Sequence, residues 1–63
     1  MIGDKIKYLR RKKKLTQSQL AKELNVTAQA VSKWEKGLSN PDIETIIKIS
    51  EFFGVTTDYL LKD

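Results

Sequence analysis

The sequence predicts an all-α fold, a compact five-helix domain that occupies the whole of residues 1–63. Apolar residues recur at spacings of three and four, which is the period of a helix with one buried face. No stretch alternates polar and apolar residues as a half-buried strand would, and Pro41 is the only proline. A chain of 63 residues has room for one hydrophobic core, so we expect a single domain.

The first helix is expected from about Ile2 to Lys13, with Ile2, Ile6 and Leu9 on its buried face. Asp4 near its start and a run of basic residues at its end both suit the helix dipole. The run at residues 11–14 has two interpretations that the sequence leaves open, since it could lie along a polyanion or be an ordinary solvated helix end.

A second helix should begin after Thr16, because Thr16 and Gln19 have the spacing of a capping box and Leu15 can contact Leu20 as a hydrophobic staple. Asn25 tolerates a left-handed conformation, so we expect the helix to end there. The residues that should face the core are Leu20, Ala21 and Leu24.

A third helix is predicted to follow almost at once, from about Ala28 to Lys36. Thr27 is a good N-terminal cap, and Gly37 stands where a left-handed residue would end the helix. Its inward residues are expected to be Val31 and Trp34, with Ala30 nearby. The turn between the second and third helices is therefore very short.

The fourth helix is expected to be capped by Asp42 or Asn40 and to end at Gly54. We expect it to be the densest segment of the core because of its apolar residues, Ile43, Ile46, Ile47, Ile49, Phe52 and Phe53. A short fifth helix, from Thr57 to about Leu61, should follow a cap at Thr56.

Charge is distributed unevenly along the chain, whose net charge is +4. Residues 1–38 contain ten Lys or Arg and three Asp or Glu, a balance of +7, whereas residues 39–63 contain two and five, a balance of −3. A basic half attracts polyanions, so nucleic acid and an anionic membrane surface are the natural partners, and a merely solubilising surface is the alternative. The membrane role is disfavoured because no broad apolar face accompanies the basic residues.

Several other functions are disfavoured by composition. The chain contains no cysteine and no histidine, so we expect no disulfide, no metal site and no cofactor, and we do not expect an enzyme. Its serine and threonine hydroxyls have no nearby base. The longest apolar runs are far too short to span a bilayer and the N-terminus lacks a signal-peptide core, which suggests a cytoplasmic protein.

The second and third helices, joined by a tight turn, form a bihelical unit in which small Ala21 allows close approach. The outward face of the third helix should then present Ala28, Gln29, Ser32 and Lys33. A glutamine can pair with adenine, a lysine can donate to guanine, and an alanine methyl can contact thymine. Taken singly, such residues are usual on any helix surface; within a capped helix-turn-helix they favour reading of bases.

These segments resemble the phage repressor and Cro type of helix-turn-helix, also called the xenobiotic-response-element family. The resemblance lies in residues 15–21 (LTQSQLA), 26–27 (VT), 30–37 (AVSKWEKG) and 54–61 (GVTTDYLL). Asn25 is a departure, because the family commonly has glycine there. The resemblance implies a lambda-repressor-like fold whose third helix enters the major groove of double-stranded DNA.

The resemblance also implies a role for individual residues. Those expected to face base edges are Ala28, Gln29, Ser32 and Lys33. Those expected to lie along phosphates are Arg10, Thr16, Gln17, Thr27, Lys36, Ser39 and Asn40, although capping is the more natural role of Thr16. Those expected to support the unit are Ala21, Asn25, Val31, Trp34 and Glu35. Arg10 and Glu35 should form a bridge between the first helix and the end of the third, unless they are ordinary surface charges.

The function implied is sequence-specific binding by a transcriptional regulator, with repression favoured over activation. A homodimer on a palindromic operator is expected, with recognition helices roughly 34 Å apart. Its contact surface is expected near Tyr59, Leu61 and the exposed side of the fourth helix, unless those residues close the core. The alternative is a protein-interaction module, such as an antitoxin-like regulator that binds a partner protein.

Overall fold

Five helices make up the fold in a computed structural model of the chain, which describes residues 1–62. Within that range no strand is present, so the predicted all-α class is confirmed. The helices are α1 (Ile2–Lys12), α2 (Gln17–Leu24), α3 (Ala28–Glu35), α4 (Ile43–Phe53) and α5 (Thr57–Leu61). The predicted boundaries agree to within one residue, since α1 ends at Lys12 and α3 at Glu35.

The helix caps follow from local sequence. The Thr16 hydroxyl accepts from the Gln19 amide at 3.0 Å and the Gln19 side chain accepts from the Thr16 amide at 2.8 Å, which is the predicted capping box. Asp42, rather than Asn40, caps α4 by accepting from the Thr45 amide at 2.9 Å. Asn25 ends α2 in the left-handed region with φ 58° and ψ 43°, so the family's usual glycine is not needed there.

The core lies where all five helices meet. Its most deeply buried side chains are Ile6, Leu20, Leu24, Val31, Ile49 and Leu60. Trp34 is 5% exposed and Ala21 is 3% exposed, which confirms their prediction as packing residues. Removing this apolar area from water is the dominant force that orients the short helices, none of which exceeds 11 residues.

One prediction about the core is wrong. The fourth helix was expected to bury all its isoleucines, but Ile43 is 75% exposed and Ile47 is 45% exposed, while Ile46 and Ile49 are buried. Ile43 and Ile47 lie one turn apart on the side of α4 that faces away from the core. One side of α4 therefore packs into the core through Ile46 and Ile49, and the other side exposes Ile43 and Ile47 to solvent.

Close packing of α1 against α3 fixes the end of the helix that was predicted to bind DNA. Gly3 is buried, and a Cβ added to it would overlap the carbonyl oxygen of Trp34 and lie 3.3 Å from the Cα of Glu35. Only the absence of a side chain allows this approach. Among the described residues, none of the helices is long and apolar enough to cross a membrane.

Candidate nucleic-acid interface

The outward face of α3 presents the residues that were predicted to read bases. Gln29 and Lys33 are exposed and lie four residues apart, so they project from the same side of the helix, whereas Ala28 and Ser32 are half-buried. Within residues 1–62 no side-chain hydrogen bond or ion pair engages the side chains of Gln29, Ser32 or Lys33. The donors of Gln29 and Lys33 are consequently available to an external ligand.

Buried residues on the opposite side of α3 hold this face in place. Val31 is fully buried and Trp34 nearly so, and the Thr27 hydroxyl caps the helix by accepting from the Ala30 amide at 3.1 Å. Gly37 follows the helix with φ 75°, as predicted for the residue that ends it. The outward face of α3 thus belongs to a capped and packed helix rather than to a loop.

The residues predicted to contact phosphates are divided between two edges of the α2–α3 unit. On the N-terminal edge of α2, Thr16 is exposed and half-buried Gln17 occupies the first turn. On the other edge, beyond α3, lie exposed residues that follow the helix or form the next loop, namely Lys36, Ser39 and Asn40. Exposed Thr27 begins α3 between these edges.

Arg10, Glu35 and Gln17 form a polar cluster where α1, α2 and α3 meet. The guanidinium of Arg10 donates through Nε to Glu35 Oε2 at 2.7 Å and through Nη2 to Glu35 Oε1 at 2.9 Å. Gln17 Nε2 donates to Glu35 Oε1 at 3.1 Å. The predicted bridge between Arg10 and Glu35 is confirmed, and it is buried rather than an ordinary surface pair, because the two side chains are 11% and 4% exposed.

This cluster also ties the α1–α2 turn to the same point. Arg10 Nη1 donates to the carbonyl oxygen of Leu15 at 2.7 Å, so all three nitrogens of the guanidinium have internal acceptors. Three separated segments are therefore held by one bidentate pair and two further hydrogen bonds. Contact of Arg10 with a phosphate stays a prediction, and its established contacts are those that orient α3 and the start of α2.

The electrostatics of the cluster favour both charged forms. Burial raises the pKa of Glu35, but hydrogen bonds from Arg10 and Gln17, with the charges of Arg10 and Lys7, outweigh it and leave that pKa below its ordinary value. The hydrogen bond to Glu35 raises the pKa of Arg10. The ion pair consequently persists through the whole neutral range.

Sequence reasoning missed three features of this site. The bond between Gln17 and Glu35 joins residues 18 apart, and only the packing of α2 against α3 brings them together. The close approach at Gly3 carried no signal beyond the glycine itself. Lys14 adopts a left-handed conformation with φ 58°, which its residue type does not favour, although its place just after a helix suggests a left-handed cap.

Comparison with known proteins identifies the family. A family model described as helix-turn-helix matches residues 6–60. The chain belongs to this helix-turn-helix family. It is of the predicted phage repressor and Cro type, since relatives include Repressor protein C2 of Salmonella phage P22, to which it is 34% identical over 62 residues.

The helix-turn-helix relatives include regulators of different kinds. The chain is 50% identical over 59 residues to the HTH-type transcriptional activator BcrR of Enterococcus faecalis, which is 94% of this chain and 29% of that protein. It spans between 29% and 57% of the lengths of the first three curated relatives that it matches. Their shared part is thus a domain of longer regulators.

The helix-turn-helix fold is confirmed by a solved structure. The P22 c2 repressor in complex with a synthetic operator superimposes with a TM-score of 0.93 at 34% sequence identity, covering 98% of this chain and 94% of that one. The five helices therefore have the arrangement of a phage repressor domain, as the sequence predicted.

Proposed function

We propose that this helix-turn-helix domain binds double-stranded DNA in a sequence-specific manner, with α3 in the major groove. The observation that carries the proposal is the pair Gln29 and Lys33, exposed and without internal partners on a helix whose other side is fixed in the core. A glutamine amide matches the edge of adenine and a lysine ammonium that of guanine. Half-buried Ala28 and Ser32 lie beside them and complete the base-facing surface.

The two polar edges of the α2–α3 unit act as anchors on the DNA backbone. Gln17 donates one side-chain N–H to Glu35. Its second side-chain N–H can donate to a phosphate, close to the free backbone amides at the start of α2. Lys36 and the loop residues Ser39 and Asn40 hold the backbone on the far side of the groove. Thr16 and Thr27, whose hydroxyls serve as caps, approach phosphates at the two helix starts. Such contacts set the position of α3 but do not read sequence.

The charge distribution supports this orientation. Residues 1–38, whose net charge is +7, include α1, α2 and α3. Residues 39–63, whose net charge is −3, include α4 and α5. A polyanion is attracted to the first three helices and repelled by the last two. The domain accordingly approaches DNA with the face that bears Gln29 and Lys33.

We further propose that the domain acts as a repressor and forms a homodimer on a palindromic operator, in the cytoplasm where the DNA lies. Two copies would place their α3 helices in successive major grooves, roughly 34 Å apart. Two solved structures with this fold, those of the P22 c2 repressor and of the biofilm regulator SinR, are in complex with DNA, which supports DNA binding by the domain. The proposed activity is binding, without catalysis.

The test is selection of bound fragments from a pool of random DNA, followed by sequencing. We expect enrichment of an approximate palindrome, whose half-sites give the bases that face Gln29 and Lys33. A pool that stays random would overturn the proposal, and recovery of a tight protein partner in its place would favour a protein-interaction module. With the operator known, increased or decreased transcription from a promoter that overlaps it distinguishes activation from repression.

A further inference from the structure

The outer side of α1 carries a basic surface with an exposed tyrosine near its centre. Gly3, Ile6 and Arg10 are the buried residues of α1, and the residues on the opposite side line an open cavity of about 580 Å³. Their spacings of three and four put them on one face of the helix. These residues, here called the outer α1 surface, are Asp4, Lys7, Tyr8, Arg11 and Lys12. Neither the core nor the base-facing side of α3 uses them.

The outer α1 surface has an excess of positive charge. Its cations are Lys7, Arg11 and Lys12, and its carboxylate is that of Asp4, which lies 3.7 Å from the N-terminal ammonium. In the described part of the chain, no side-chain hydrogen bond or ion pair engages Lys7 or Arg11. Lys12 Nζ lies 5.7 Å from the centre of the Tyr8 ring. The cations of this surface are therefore available to an anionic partner.

The basic run at residues 11–14 divides between different sides of the molecule. Lys13 Nζ lies 5.4 Å from the centre of the Phe52 ring, so this lysine reaches towards α4. Lys14 follows the helix with φ 58°. Only Arg11 and Lys12 belong to the outer α1 surface. The run consequently does not form one continuous track for a phosphate backbone.

The outer α1 surface faces away from α3. The buried side of α1 packs on α3, where Gly3 lies against the carbonyl group of Trp34. On the same side, Arg10 pairs with Glu35. The body of α1 thus separates the outer α1 surface from α3. DNA held by α3 would leave this surface uncovered, so its partner is a different molecule.

The residue types favour a protein as that partner. Tyr8 is 57% exposed, and Arg11 lies one helical turn from it. Tyrosine and arginine are among the residues that most often supply binding energy at protein interfaces, and flanking lysines steer the approach of an acidic partner. Lys7 and Arg11 are four residues apart, which matches carboxylates at the same spacing on a partner helix.

We infer that the outer α1 surface binds an acidic helical segment of a partner protein. Tyr8 supplies apolar contact area and Arg11 a bidentate pair with a carboxylate, while Lys7 and Lys12 add charge at the margins. One face of an 11-residue helix is smaller than the standard interface of about 800 Å² per partner, so the association is weak and sensitive to salt. This binding adds to the proposed function and does not depend on it.

The experiment selects ligands for the whole chain from a displayed library of random peptides of about 15 residues, long enough to form a helix. We expect enrichment of aspartate and glutamate at spacings of three and four. Fluorescence anisotropy of a labelled copy of the enriched peptide then compares variants. Tyr8→Ala and Arg11→Ala should each weaken its binding about tenfold or more. Arg11→Lys should recover only part of the loss, because lysine keeps the charge without the planar fork.

The matched controls are Lys33→Ala and Lys48→Ala, which remove exposed cations from α3 and α4 and should leave the affinity for the peptide nearly unchanged. The substituted side chains of Tyr8 and Arg11 are also exposed, and thermal melting checks that every variant folds. A library that yields no acidic sequence would overturn the inference. So would a peptide that loses affinity equally in Arg11→Ala and in the two controls, since it would respond to net charge alone.

The same peptide distinguishes this inference from the proposed function. At physiological salt, where charges more than about 8 Å apart are largely screened, the complex with selected DNA should still bind the peptide. Mutual displacement of peptide and DNA would place both on one surface and overturn the inference. A salt slope of DNA binding that falls by about one unit in Arg11→Ala would assign this surface to DNA, with the same consequence. If no DNA sequence is enriched, the measurements on the free chain decide the inference alone.

Discussion

The side chains on the two sides of α3 differ in whether contacts within the protein hold them in place. The inner side carries Val31, Trp34 and Glu35, each held by burial or by a bidentate ion pair, while the outer side carries Gln29 and Lys33 without internal partners. A substitution on the inner side must therefore alter the stability of the fold, and one on the outer side should alter only what the domain binds. Under the proposed function, opposite sides of one eight-residue helix orient it and read the DNA.

The largest effect is expected for Glu35→Ala on the inner side. It leaves the Arg10 guanidinium buried without its counter-charge, which should lower the free energy of unfolding by about 3 kcal/mol. Urea denaturation measures the loss, and Glu51→Ala, at an exposed glutamate of α4, is the control. If both variants unfold alike, the cluster does not hold α3 in place.

Gly3→Ala should have the next largest effect. Alanine favours a helix over glycine by about 1 kcal/mol, but its methyl would overlap the Trp34 carbonyl and force α1 from α3, for a net loss of about 2 kcal/mol. Gly54→Ala is an informative comparison, because nothing lies within 4 Å of the added Cβ and the only strain is that of φ 69°, about 1 kcal/mol. Equal melting of wild type and Gly3→Ala would show that the contact can relax.

On the outer side, Gln29→Ala and Lys33→Ala should each weaken binding to the selected DNA by about 1 to 2 kcal/mol and leave stability and binding to random DNA nearly unchanged. Fluorescence anisotropy with both DNAs separates these effects. Lys62→Ala, at an exposed lysine beyond α5, controls for loss of charge. Equal losses on the two DNAs would exclude base reading.

Lys36→Ala, directly after the end of α3, should weaken binding to all DNA sequences alike. Loss of one phosphate contact lowers the slope of log K against log salt concentration by about one unit. Titration at several salt concentrations gives the slope, and Lys48→Ala on α4 should leave it unaltered. A slope equal to that of the wild type would remove Lys36 from the anchors.

The smallest effect concerns pH. The folded pKa of Glu35 lies below its ordinary value of 4.5, so its contribution to stability is complete above pH 4.5 and is lost as the pH falls through the folded pKa. Asp42 has a pKa lowered by the Thr45 side chain and amide, and it acts in the same direction. Glu35→Gln should make the free energy of unfolding depend less on pH below pH 4.5. If this pH dependence is the same as in the wild type, the other carboxylates dominate it.

Much of the fold could be predicted from the sequence because its signals are local. The capping box at Thr16 and Gln19, the left-handed Asn25 and the cap at Asp42 are each decided within four residues. The bridge between Arg10 and Glu35 was predicted only through resemblance to a family. Nothing local could predict that it would be buried or that Gln17 would join it, since burial depends on three helices at once.

The sequence by itself determined where helices begin and end and which residues α3 turns outward, because capping and helical period act between near neighbours. Tertiary structure alone decided that α1 passes over the end of α3 at Gly3 and that α4 leaves Ile43 and Ile47 in solvent. Burial is favourable for an apolar side chain, but the side chain is buried only where other helices pack around it. In a domain this small, α4 packs against α2 and α5, and no further helix covers the side that carries Ile43 and Ile47.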